Sequence, residues 1–140
     1  MPVIFKDVPF TITASGNSSL ASGATVPQML IPAEPFHELI VQVNVTNNLL
    51  GSAATVKFGL DTTIDGTNWT KLGVQANSVS SAGMNTLMVG TGATGASADF
   101  TADSALSVFA APFGDTVRVN WTLAATTGPS CDFLLSAYGK

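Results

Sequence analysis

The feature that most constrains this chain is a side-chain period of two. In ELIVQVNVT, Leu39, Val41, Val43 and Val45 fall on one face while Gln42, Asn44 and Thr46 fall on the other. In DTVRVNWTLA the same alternation sets Val117, Val119, Trp121 and Leu123 against Thr116, Arg118, Asn120 and Thr122. Successive side chains of a strand point to opposite faces, so these segments read as strands with one buried side. Val56, Phe58 and Leu60 repeat the pattern, as do Cys131, Phe133, Leu135 and Ala137. Weaker strand candidates are Phe5–Thr13, Thr25–Ile31, Asn68–Val74, Met84–Val89 and Ala105–Ala110. No segment keeps i, i+3, i+4, i+7 apolar spacing over three turns, which excludes an amphipathic helix as a major element.

Between the strands lie ASGNSSLASGA, NNLLGSA, VGTGATGASAD and AATTGPS, whose Gly, Asn, Ser and Pro suit tight connections. Short strands with such spacers predict an all-β fold, an antiparallel β-sandwich or jelly roll of about eight strands. The chain has 140 residues and shows neither repeat nor linker, so one domain spanning 1–140 is expected. Gly90–Asp103 is the longest stretch without apolar periodicity, and Phe100 is its one large apolar side chain. A neighbour that orders this segment would use Phe100 as its anchor.

Composition sharpens the functional reading. Charged residues are 10% of the chain, against about 25% in an ordinary soluble domain, and 30 Ser and Thr with 18 Ala take their place. A surface so poor in charge suits a chain packed against other protein. Five Lys and Arg against nine Asp and Glu leave a net charge of −4 with no basic cluster, so no nucleic-acid partner is expected. No apolar run approaches the roughly 18 residues of a membrane span, and MPVIFKDVPF lacks the form of a signal peptide. No membrane partner is expected, and synthesis in a cytoplasm without export is. Four Asn-x-Ser/Thr sequons, at Asn17, Asn44, Asn68 and Asn120, are read as chance products of Thr-rich strands.

Little here can do chemistry. Cys131 has no partner for a disulfide and reads as a small core residue. The single histidine, His37, follows Pro32 and Pro35 at a strand start with no nucleophile elbow in the chain, so it reads as a surface or interface residue. Glu34 with Glu38, and Asp61 with Asp65, are the nearest carboxylate pairs, but neither lies in an acid-rich cleft pattern. In GLDTTIDGTNWTKLG, Asp65-Gly66 is a hairpin signal: Gly66 accepts positive φ, Asp65 and Asn68 bond the turn backbone, and Trp69 enters the returning strand as a core anchor. Asp61, Thr63, Asp65 and Asn68 also offer oxygen ligands. The segment departs from the EF-hand pattern and lacks its distant Glu. Neither an enzymatic role nor any cofactor or metal is expected. One copy of an Asp-box-like turn, with the spacing unmet, does not mark a propeller.

Two segments together carry a resemblance. FGLDTTIDGTNWTKLG, followed by DTVRVNWTLAATTGPSCDFLLSAYGK, resembles small structural proteins of tailed-phage virions, where a strand-DGTNW-strand hairpin precedes an R-V-x-W-T strand and a Gly-Pro-Ser turn into the last strand. The likeness covers about half of the chain. It implies a β-sandwich or jelly-roll decoration (cement) protein that sits on the capsid exterior, stabilises the shell through the major capsid protein, and clusters as a trimer or dimer. No functional residue transfers position by position. The alternatives are a carbohydrate-binding module or adhesin, needing Trp69, Trp121 or Tyr138 as open platforms, and a small single-jelly-roll coat protein, whose usual basic arm is missing from a start holding one Lys and one Asp.

The N-terminal segment adds an interface expectation. Consecutive Val3, Ile4 and Phe5 cannot all face one core from a two-faced strand, and Pro9 denies a ladder one N–H. Residues 1–12 are therefore either an arm reaching a neighbour, with Phe5 or Phe10 as anchor, or an edge strand of the same sandwich. Val3, Ile4, Phe5, Phe10, His37 and Phe100 are the candidate subunit-interface residues.

Overall fold

The computed structural model of the chain describes residues 2–12, 16–19, 30–46, 55–76, 78–93, 106–124 and 131–140. Among them are ten strands: β1 (Val3–Ile12), β2 (Gly16–Ser19), β3 (Ile31–Pro32), β4 (Leu39–Val45), β5 (Thr55–Thr63), β6 (Thr70–Val74), β7 (Gly83–Val89), β8 (Leu106–Phe109), β9 (Thr116–Ala124) and β10 (Cys131–Gly139). No described residue is helical.

The strands form two sheets, one in the order β1-β10-β4-β7-β8 and one in the order β2-β9-β5-β6 with β3 also on β9. Leaving β3 and β8 aside, the chain passes from one sheet to the other at every step except the β5–β6 hairpin, and its first and last strands pair. That is the winding of an eight-stranded jelly roll. One pairing departs from the antiparallel expectation: β8 runs parallel to β7. A parallel neighbour needs a crossover of about a dozen residues or more. The chain between Val89 and Leu106 is long enough to supply it.

Alternation decides what meets between the sheets. Leu39, Val41, Val43 and Val45 of β4, Leu87 and Val89 of β7, and Cys131, Phe133, Leu135 and Ala137 of β10 face Val56, Phe58 and Leu60 of β5 and Val117, Val119 and Trp121 of β9, all buried. Phe133 is the hub. Its ring stacks on Phe10 at 5.5 Å, meets Phe58 edge-on at 5.4 Å and lies 6.5 Å from Trp121. Where the two sheets meet beyond this apolar layer, Gln75 bridges them: its Oε1 accepts from Phe58 N at 2.9 Å and its Nε2 donates to Asn85 Oδ1 at 3.1 Å. Asn85 Nδ2 donates in turn to Val43 O at 3.3 Å. Buried amides are retained only when so satisfied.

Several expectations are corrected. The segment 14–24 was expected to be a connection, but Gly16–Ser19 pairs with Asn120–Leu123 as β2. Of the strand expected at Thr25–Ile31, Ile31 belongs to β3 and residues 25–29 lie outside the described residues, as do 47–53 and 125–130 of the expected connections. Trp69 is no core anchor; it is half-buried, and its ring lies under the Arg118 guanidinium, 4.0 Å away. The N-terminal segment is an edge strand on β10, bulged between Val3 and Phe5 and again between Phe5 and Val8, with Asp7 at φ 54 and its N–H on Ser136 Oγ at 3.0 Å. Bulges and Pro9 are devices that keep an edge from pairing further.

Candidate functional site

The β5–β6 turn is the most tightly built surface feature. Gly66 takes φ 77, a backbone conformation that L side chains resist. Asp65 Oδ1 accepts from the N–H groups of Thr67 and Asn68, both at 2.8 Å, and Oδ2 accepts from Asn68 Nδ2 at 2.7 Å. The Thr63 hydroxyl accepts from Gly66 N at 3.0 Å and donates to Asn68 O at 2.7 Å. The Asn68 N–H, then that of Thr67 and the Asn68 side-chain amide, hold the Asp65 carboxyl well below the usual carboxylate range. Beside this turn the 112–114 segment approaches, fixed by Gly114 N donating to Thr62 Oγ1 at 2.7 Å. Between them opens a cleft of about 400 Å³ whose lining includes the apolar Ile64, Pro112 and Phe113 together with Asp65, Asn68 and Thr70. Ile64 is 80% exposed on the turn.

The outer faces of the two sheets differ in kind. On the β9-β5-β6 side, Arg118 Nε donates to Asp61 Oδ2 at 3.1 Å and Asn120 Nδ2 to Asp61 Oδ1 at 2.8 Å, under the same guanidinium that covers Trp69. Its other outward positions include Lys57, Thr116 and Lys71, a polar surface. On the β1-β10-β4-β7-β8 side the residues that alternate away from the core line up in register: Val3 opposite Tyr138, Tyr138 opposite Ile40, Ile40 opposite Met88, Met88 opposite Val108. An apolar row thus crosses all five strands on the face away from the core. Its middle is closed off within the chain, with Ile40 and Met88 buried, while its ends, Val3 at 57% and Val108 at 37%, stay open; Met84, four residues before Met88 on β7, is 40% exposed.

The residues expected at an interface do not all meet. Gly139 N donates to Pro2 O at 3.0 Å and His37 N to Lys140 O at 2.7 Å, so Val3 and exposed His37 lie at one end of the first sheet. Ile4 and Phe5 are half-buried against the core. Phe10 sits in the core at the other end of β1, stacked on Phe133, and offers nothing to a neighbour. Phe100 lies outside the described residues. Gly66 and Asp65 act as expected in the turn, and Asn68 bonds Asp65 through both its N–H and its side chain. Asp61 and Asp65 are committed to different partners, and no three of His, Cys, Asp and Glu come together among the described residues.

The outward row went unread, although it left a signal. Leu39-Ile40-Val41, Leu87-Met88-Val89 and Leu134-Leu135 are unbroken apolar runs, which a strand shows when both of its faces are covered. Compared with protein-family models, curated proteins and solved structures, the chain matches none.

Proposed function

We propose that this chain is a virion structural protein, a decoration or cement protein on the capsid exterior, made in the host cytoplasm, that binds the major capsid protein and copies of itself and strengthens the shell. The observation that carries this reading is the apolar outer face of the first sheet, where Val3 and Val108 at the two ends of the in-register row, and Met84 farther along β7, stay exposed on a chain with few charges. The jelly-roll winding and the hairpin and last-strand resemblance to tailed-phage virion proteins support it. With so few charges, affinity comes from apolar and hydroxyl-rich area and from several subunits engaging together.

Of the platforms the carbohydrate alternative needs, Trp121 is in the core and Arg118 covers one face of Trp69, which leaves half-buried Tyr138 on the outward row. The test is cosedimentation with shells of the phage that carries the gene, using the natural chain and a Val3→Ser, Met84→Gln, Val108→Ser triple variant. The reading requires the natural chain to pellet with shells and the triple variant, equally folded by circular dichroism, to stay in solution. A natural chain that stays in solution, or a variant that binds as well, contradicts it.

A further inference from the structure

We infer that the cleft between the β5–β6 turn and the 112–114 segment is a docking site for an extended partner segment carrying an aliphatic side chain next to a lysine or arginine. Shape and charge argue for this occupant. Its lining includes the apolar Ile64, Pro112 and Phe113, and about 400 Å³ exceeds what one aliphatic side chain fills. Ile64, 80% exposed, is held out on a turn that the Asp65 carboxylate and the Thr63 hydroxyl bond closed, so its backbone loses little freedom when it is covered.

Asp65 lines the same cleft. All the groups that hold it are neutral donors, and the ion pair found among the described residues belongs to Arg118 and Asp61. Its charge is thus fixed, exposed and uncompensated beside an apolar recess, and Oδ2 keeps acceptor capacity toward solvent. An apolar group alone would leave that carboxylate facing an apolar neighbour; an adjacent cation compensates it.

This inference rests on the protein-binding reading, yet its test probes the cleft alone, so its failure leaves the shell experiment untouched. Backbone amide shifts of the full chain are followed by NMR during titration with Ac-Gly-Leu-Lys-Gly-NH2. The controls are Ac-Gly-Leu-Glu-Gly-NH2, Ac-Gly-Ser-Lys-Gly-NH2 and methyl glucoside. The expected result is saturable shifts of the Ile64, Gly66, Thr70 and Gly114 amides in the millimolar range, weaker by about threefold or more for each control peptide. Asp65→Asn should erase the preference for lysine over glutamate. Ile64→Ser should weaken all binding, and because that side chain lies outside the core it keeps the test open if Asp65→Asn loosens the turn. No saturable shift at these amides, equal response to the glutamate peptide, saturation by the glucoside alone, or shifts that follow protein concentration without peptide would each overturn the inference, the last in favour of a second copy as occupant.

Discussion

Arg118 holds Trp69 by its flat side: the guanidinium carbon lies 4.0 Å from the ring centroid while Nε of the same group donates to Asp61 Oδ2 at 3.1 Å. One side chain therefore fastens three strands, reaching from β9 over Asp61 of β5 to the residue that leads into β6. Arg118→Met leaves a nearly buried carboxylate with Asn120 alone. Since both partners keep some exposure, the cost is about 1–3 kcal/mol rather than that of a fully buried pair. Urea unfolding measures the loss, and Trp69 emission should shift to the red at the same time. Unchanged stability would show the pair to be ornamental.

Asp65 governs the turn through pH. Its folded carboxyl titrates below its ordinary value near 4, so the stabilisation it lends is complete above that value and fades as pH falls through and below it. Thermal unfolding of the natural chain should therefore steepen its loss of stability below about pH 4 relative to Asp65→Asn. Parallel curves would place the acid sensitivity elsewhere.

Two glycines make opposite demands. A Cβ on Gly59 would meet the backbone carbonyl oxygen of Gly73 on one flanking strand and the side-chain Oδ1 of Asn120 on the other, so Gly59→Ala should cost about 1–3 kcal/mol by forcing the sheet apart. Gly66 has open space around it and positive φ, so Gly66→Ala should cost about 1 kcal/mol through backbone strain, and Gly66→Asn less. Denaturation midpoints of the three variants give the order directly.

Cys131 should be silent while the protein is folded. Burial, with the Asp132 charge adding to it, pushes its thiol up to about 11, so thiolate is scarce at neutral pH and the sulfur is enclosed. Iodoacetamide at about pH 8 should label it only at the rate of unfolding, and rapid labelling of the native chain would contradict its place in the core.

How much of this could be read from the residues depends on where alternation survives. β4, β5, β9 and β10 keep it, and their inward residues whose burial is described are in the core as expected, while the side chain of Leu123 lies outside the described residues. Trp69 was misplaced because alternation breaks in β6. Leu60 pairs with Gly73 but Asp61 with Lys71, so a bulge inserts one residue, and a one-residue slip turns every later side chain to the other face. β2 carries no apolar repeat and is recruited by backbone pairing to β9. Gly66 and Asp65 were legible because local geometry alone dictates them. The outward row Val3–Tyr138–Ile40–Met88–Val108 was not, since it exists only once register brings five distant segments side by side.

On the proposed function, this protein strengthens a shell through contacts that owe little to charge. Shells assembled with and without it, heated in about 0.05 M and about 0.5 M salt while DNA release is followed, test that claim most directly. Apolar contacts hold across that range while largely electrostatic ones weaken steeply. The expected result is a higher release temperature with the protein at both salt concentrations. Equal release temperatures with and without it, or protection that vanishes at the higher salt, would contradict it.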